Sequence, residues 1–255
     1  MQLVFQRFGA GPPLIVLHGL LGSSDNWRTL SRAVFGAHFE VFTVDQRNHG
    51  RSPHSDTFDY RAMVEDLAAF MDARGLAAAR LLGHSMGGKT AMHFALTYPE
   101  RVEVLVVVDI APKAYSPRHT ALLEALRALD LAAYRTRAEI NAALRPQIPS
   151  DGIRSFLLKN LQRDGQGGYG WKMNLDAIYR HYDRLNGVLE ADGTFEGPTL
   201  FVRGGASDYV ADEDREGIVS FFPEAEIVTI DGAGHWVHAE KPQEFGEVVL
   251  GFLGF

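Results

Sequence analysis

Residues 81–88 read Leu81-Leu82-Gly83-His84-Ser85-Met86-Gly87-Gly88, and the fold turns on how this stretch is understood. It contains G-x-S-x-G directly after an apolar run, residues 80–82, and directly before a helical pattern, residues 85–96, that ends ahead of Tyr98-Pro99. That is the strand–turn–helix context the motif requires. A serine used as a nucleophile has to sit on a sharp, strained turn so that its hydroxyl stands clear of the backbone. Gly83 and Gly87 keep strand and helix from clashing there, and Gly88 adds room. The helix that follows aims its N-terminal N–H groups at a developing oxyanion, the Met86 N–H among them. Ser85 is therefore the candidate nucleophile. An isolated Ser-Gly pair is more often only a turn, but here strand, motif and helix agree.

Outward from this turn, short apolar runs recur at residues 14–17, 41–44, 104–108, 200–202 and 227–230. Near-continuous apolar character with β-branched enrichment predicts strands buried on both faces. Residues 1–8 alternate like a further strand. A helical pattern over residues 60–73 places Met63, Leu67, Phe70 and Met71 on one face, with Asp59 as its N-cap. Strand alternating with helix predicts an α/β fold with a mostly parallel sheet and right-handed crossovers. The alternation stops between Pro112 and Gly197, where helical patterns cover residues 120–129, 138–144, 153–161 and 175–185, with a loop at 165–170. This stretch reads as a helical insertion after a sheet strand that roofs a pocket, within a single domain of 255 residues. A helical layer that merely completes the core is the alternative.

Bulk properties narrow the classes. The chain is 46% hydrophobic and 22% charged, ordinary for a globular protein. It has no cysteine, which excludes disulfides, thiolate zinc sites and a cysteine nucleophile. A net charge of −7 disfavours nucleic acid as a partner. No signal peptide and no membrane-spanning run is evident, so a cytoplasmic protein without membrane contact is expected, as a monomer or small homo-oligomer. Neither H-E-x-x-H nor a nucleotide-binding glycine pattern is present, so neither metal nor organic cofactor is expected.

Other loops supply the remaining chemistry. The run at residues 14–17 leads into His18-Gly19-Leu20, where the Leu20 N–H is a candidate second oxyanion donor and His18 is read as ordering the loop. Asp45-Gln46-Arg47-Asn48-His49-Gly50-Arg51-Ser52 is dense in polar groups; hydrogen bonding of an irregular buried backbone accounts for it better than catalysis does. Asp231-Gly232-Ala233-Gly234-His235-Trp236 follows the last predicted strand, and its glycines permit a turn that carries His235 over the strand ends. His235 is the candidate base, with His238 the competitor. Trp236 is read as a wall of the substrate pocket, with Tyr115 and Trp171 (and Tyr179) as further lining candidates.

With these residues in place, the sequence resembles the α/β-hydrolase superfamily over essentially its whole length. The resemblance is carried by His18-Gly19, residues 45–52, Gly83 to Gly88 and Gly234-His235. More closely it is similar to the YbfF-type esterases, through Asp25-Asn26-Trp27, Gly88-Lys89-Thr90-Ala91-Met92, Val108-Asp109-Ile110-Ala111-Pro112 and residues 234–242. The resemblance implies cofactor-free hydrolysis of short to medium acyl esters or thioesters, beneath a helical cap.

The base needs a carboxylate on its far nitrogen. Asp208 follows the strand that usually supplies this acid in the superfamily; Asp109 ends the preceding one. The usual G-x-x-D-x-x-V spacing, laid on Gly204 and Val210, puts Ser207 at the acid position; laid on Gly205, it fits Asp208 but brings Val210 one residue early. Asp109 is favoured, because a strand end positions a group better than a loop, and Asp208 competes. The same residues would also serve a C–C bond hydrolase, a perhydrolase or a lyase. A ligand receptor without catalysis would be expected to carry a damaged triad. Ser85 argues against dehalogenase or epoxide hydrolase chemistry, which needs a carboxylate nucleophile.

Overall fold

The computed structural model describes every residue except Asp164 and Gln166. In chain order its strands are β1 (Phe5–Phe8), β2 (Pro13–Leu17), β3 (Glu40–Val44), β4 (Ala79–His84), β5 (Val102–Val108), β6 (Leu161–Arg163), β7 (Tyr169–Trp171), β8 (Thr199–Gly204) and β9 (Ala225–Ile230). All but β6 and β7 form one sheet, ordered β1-β3-β2-β4-β5-β8-β9. β1 pairs antiparallel with β3, and the other pairings in this sheet are parallel.

The apolar runs are explained by burial on both faces. Ile15, Leu17, Leu81, Leu105 and Val107 point into one cluster, where helices α2 (Tyr60–Asp72) and α3 (Met86–Thr97) pack. Leu14, Val16, Leu82, Val106 and Val108 point into the opposite cluster. There α1 (Arg28–Ala33) contributes Leu30, and a C-terminal helix contributes Phe245 and Val249. Period-2 alternation across two apolar layers gives continuous hydrophobic runs. The Asp59 side chain caps α2 by accepting from Ala62 N at 2.9 Å. The chain passes from β2 outward to β3 and returns across the sheet to β4. The strand order therefore reverses between β2 and β4, the position where open parallel sheets place their ligands.

Between β5 and β8 lie α4 (Thr120–Ala128), α5 (Arg137–Leu144), α6 (Asp151–Leu158), the antiparallel hairpin β6–β7, and α7 (Leu175–Leu185). The hairpin differs from expectation. Leu161, read as helical, begins β6. The loop expected at 165–170 includes Gln166, which lies outside the described residues, while Tyr169 and Gly170 belong to β7. After β8 come α8 (Arg215–Phe221), α9 (Val237–Glu240) and α10 (Pro242–Phe252).

The helical segment has its own apolar cluster, including Leu123, Ile140, Leu157 and Ile178, which is continuous with Leu21, Phe58 and Met86 from the sheet side. Arg154, buried, binds its loops together by donating to the carbonyls of Ile148 (2.5 Å) and Pro149 (2.8 Å) and to Asn141 (2.9 Å). The segment leaves and rejoins the sheet as adjacent chains: Tyr115 N donates to Asn186 O at 2.8 Å, and Leu189 N to Pro112 O at 3.3 Å. Lys89, buried on α3, spans both chains. Its ammonium donates to Lys113 O at 2.8 Å and to Gly187 O, and burial pushes its pKa down to about 8.

Lys89→Met should leave two carbonyls without their donor, at a cost of about 1–3 kcal/mol. Thermal unfolding should show a melting temperature lower by several degrees; an unchanged value would contradict this role for Lys89.

Candidate active site

Ser85 stands between β4 and α3 with φ 53° and ψ −118°. This left-handed conformation disfavours any side chain, at a cost of about 1–3 kcal/mol. Ser85 N donates to Val108 O at 3.0 Å, and Ser85 O accepts from Lys89 N at 3.0 Å, so the turn is tied to β5 on one side and to the helix on the other. Glycines make the turn possible. A Cβ on Gly83 would lie 2.2 Å from Gly87 O, and one on Gly87 would lie 2.4 Å from Leu17 O. The latter distance shows how closely α3 approaches the end of β2. The Met86 N–H opens α3 and has no helical carbonyl four residues back.

The loop after β2 is held by the loop after β3. His18 Nε2 accepts from Gln46 N at 3.0 Å, and Gln46 Nε2 donates to His18 O at 2.7 Å. His49 Nε2 accepts from Leu21 N at 3.1 Å. Asp45 accepts from Ser24 N at 2.6 Å and from Arg51 N at 3.1 Å. Arg47 pairs with Asp66 at 2.6 Å and donates to Thr57 O and Ala62 O. The polar loop is thus structural, as its sequence suggests, and His18 orders the backbone. With Leu21 N engaged by His49 and Gly22 N by Gly19 O, the Leu20 N–H has no acceptor among the described residues.

His235 follows β9, and its Nδ1 lies 2.8 Å from Asp109 Oδ2. Asp109 is wholly buried, whereas His235 keeps 17% of its side chain exposed. Asp109 also has a positive φ, 51°. Its carboxylate accepts from Gly204 N at 3.0 Å and from Ser207 Oγ at 2.5 Å. Asp208 is elsewhere: exposed, it accepts from Arg118 at 2.6 and 2.7 Å, and Arg118 holds its carboxyl below the usual range. Of the two competing acids, Asp109 is the one against the histidine. Ser207, at the position where the superfamily spacing looks for an acid, binds that same carboxylate.

Further groups hold His235 that the sequence alone did not single out. Tyr209 stacks on its ring at 3.8 Å. His84 Nε2 meets His235 O at 2.8 Å. Glu240 accepts from Gly234 N at 2.8 Å and Trp236 N at 3.3 Å. The G-x-S-x-G pattern leaves the residue at 84 free, so nothing in it marks His84. The competitor His238 is buried against Trp27, ring on ring at 4.1 Å, and burial pushes its pKa down to about 3.

Ser85, His235, Leu20 and Trp236 line one cavity of about 540 Å³, whose outer wall comes from Leu122, Ile153, Phe156 and Leu157 of the helical segment. Trp236 packs on Phe156 at 5.7 Å. Tyr115 and Trp171, expected in this pocket, are not in it. The Tyr115 hydroxyl is spent within the fold, donating to Tyr209 O and accepting from Ala111 N, both at 2.7 Å. Trp171 sits on the unforeseen hairpin and lines a separate outer groove with Arg127 and Tyr179; Tyr179 there bonds Glu124 at 3.1 Å. Among the described residues no cluster of three His, Asp or Glu side chains is arranged to hold a metal ion, and no helix is long and apolar enough to cross a membrane.

Fold and site together define a class, and comparison agrees. The chain belongs to the alpha/beta hydrolase fold family, which residues 12–148 match. It is 42% identical over 249 residues to a mouse protein named sn-1-specific diacylglycerol lipase ABHD11, covering 95% of this chain and 81% of that one. It is 38% identical over 242 residues to esterase YbfF of Escherichia coli, covering 94% and 92%. A marine microorganism esterase of known structure superposes with a TM-score of 0.96 at 42% identity, covering 99% of each chain.

The buried imidazoles have a measurable consequence. Burial pushes His49 and His238 down to about 3 and His93 to about 4. Each takes up a proton in the unfolded chain below about pH 6.5 but resists it in the native state. The stability they contribute is complete above that pH and is lost as pH falls toward 3–4, at about 1.4 kcal/mol per pH unit for each group within its window. Urea unfolding should give a free energy that drops steadily from pH 6.5 to pH 4.5. A flat or rising profile would sink this assignment.

Proposed function

We propose that this chain hydrolyses carboxylic esters, and thioesters, of short to medium acyl chains through an acyl-enzyme on Ser85. The observation that carries the reading is the shared cavity: Ser85 on its strained turn and His235, bonded through Nδ1 to Asp109, line the same space. In this scheme His235 takes the Ser85 proton as the hydroxyl attacks the ester carbonyl. Asp109 fixes the tautomer that leaves Nε2 free to do so, and stabilises the imidazolium. The Leu20 and Met86 N–H groups receive the oxyanion. His235 then protonates the departing alcohol, and water activated by the same histidine releases the acid. The helical segment acts as a cap whose apolar face receives the substrate chain. Relatives and a neighbouring structure bearing esterase names support ester hydrolysis as the chemistry.

A fluorophosphonate should label Ser85 in the parent protein and not in Ser85→Ala, read by peptide mass spectrometry. With p-nitrophenyl esters of rising acyl length, activity should peak among the short and medium chains. Asp109→Asn should lose activity on the order of 10³- to 10⁴-fold, while Asp208→Asn stays within about threefold of the parent, as an exposed ion pair allows. Absence of the label, activity confined to long chains, or equal small losses at both aspartates would each refute the corresponding part of the scheme.

A further inference from the structure

The acyl-transfer scheme does not use His119, although it lines the cavity shared by Ser85 and His235. Residues 118–119 reach the site at the beginning of the helical segment. The Arg118 guanidinium lies 5.5 Å over the Tyr209 ring, and that ring stacks on His235 at 3.8 Å. The chain therefore arrives beside the outer face of His235, and the next side chain turns into the cavity.

A neighbour fixes the hydrogen-bonding state of His119. The Tyr182 phenol, a residue only 4% exposed, lies 3.0 Å from His119 N and 2.9 Å from His119 Nδ1. A backbone N–H can only donate, so the phenol oxygen accepts from it. The phenol hydrogen then needs an acceptor: the Asn186 amide beside the phenol acts on it as a donor, and His119 Nδ1 at 2.9 Å is the group placed to accept. The opposite tautomer would leave a buried hydroxyl hydrogen unpaired. Nδ1 is thus the acceptor, and the neutral ring carries its hydrogen on Nε2. No protein group accepts from Nε2 among the described residues. Burial, followed by the charges of His235 and Arg118, holds the ring below its ordinary pKa and so in the neutral form.

We infer that His119 Nε2–H donates a hydrogen bond to an oxygen on the alcohol side of the ester, selecting leaving groups with a hydroxyl, ether or carbonyl oxygen near the scissile bond. This rests on the ester chemistry proposed for Ser85. The side of the substrate follows from His235. That residue must return its proton to the departing alcohol, so the leaving group lies against its ring, where residues 118–119 stand. His119 neither takes nor gives up a proton; it recognises the leaving group, which a wholly apolar wall would not do. A site built to pair a substrate oxygen discriminates against an analogue lacking it.

Two esters with one acyl group and alcohols of similar size separate this role from a structural one: 2-hydroxyethyl hexanoate and n-propyl hexanoate. The measured quantity is the ratio of their kcat/KM values, which reports acylation. In His119→Phe the ratio of hydroxyethyl to propyl ester should fall about fivefold to tenfold, the range of one lost hydrogen bond. His119→Gln, whose amide can donate, should keep it within about twofold. His119→Ala should repeat the phenylalanine result and serves if that variant does not fold. A fluorophosphonate, which expels fluoride rather than an alcohol, should still label Ser85 in all three, showing that the nucleophile and its base are assembled. An unchanged ratio, or a parallel fall for both esters, overturns the inference while leaving the ester chemistry standing. Failure of the parent protein to hydrolyse either ester overturns both.

Discussion

The backbone hydrogen bond from Ser85 N to Val108 O, 3.0 Å long, holds the chain in a conformation it would otherwise leave. A positive φ on a serine persists only where the surroundings over-determine it. Here β4 is fixed between β2 and β5, α3 begins at once, and glycines let α3 close to within contact of Leu17 O. Among the described residues, four that are not glycine have positive φ, Leu21, Asn48, Ser85 and Asp109. All four lie in loops that build or brace the site. Strain is thus concentrated at the carboxyl ends of the strands, and the double-faced apolar core beneath offsets it.

Rigid placement comes from buried polar groups that the core surrounds. His18 accepts from the Gln46 amide, His49 accepts from the Leu21 amide beside Leu20, and His84 bonds the carbonyl of His235. Their burial pushes all three below their ordinary pKa, so they act as neutral hydrogen-bonding groups. Asp109 receives a strand-end amide, a serine hydroxyl and the His235 ring. Three donors converging on a buried carboxylate in this way hold it in one orientation. The helical segment is anchored separately, through Lys89 and the paired chains at residues 112–115 and 186–189, so its wall meets the cavity at a fixed place.

Much of this was legible in the sequence because the relevant signals are local. The apolar runs report burial on both faces, and G-x-S-x-G reports its own turn. Gly234-His235 marks the histidine by the same logic. The strand-end position favoured Asp109 but left Asp208 in competition, since the choice depends on which carboxylate faces a ring 126 or 27 residues later in the chain. Arg118, remote in sequence, takes up Asp208, and nothing in the local spacing announces it. Tyr115 and Trp171 were misplaced for a related reason. An aromatic in a helical segment looks the same whether its hydroxyl faces substrate or a backbone amide, and Trp171 sits on a hairpin too short for a periodic signal. His84 and Tyr209 act through tertiary contacts alone, and Glu240 reaches back to the Gly234 and Trp236 amides of its own turn.

The central claim is that Ser85 carries the acyl group during turnover. The most direct test quenches the reaction with p-nitrophenyl butyrate in acid within the first turnovers and locates the added mass by peptide mass spectrometry. The account predicts a butyryl group on the peptide containing Ser85, absent from Ser85→Ala, which should also lose turnover. A butyryl group on another residue, or a Ser85→Ala protein that turns over as fast as the parent, would contradict it.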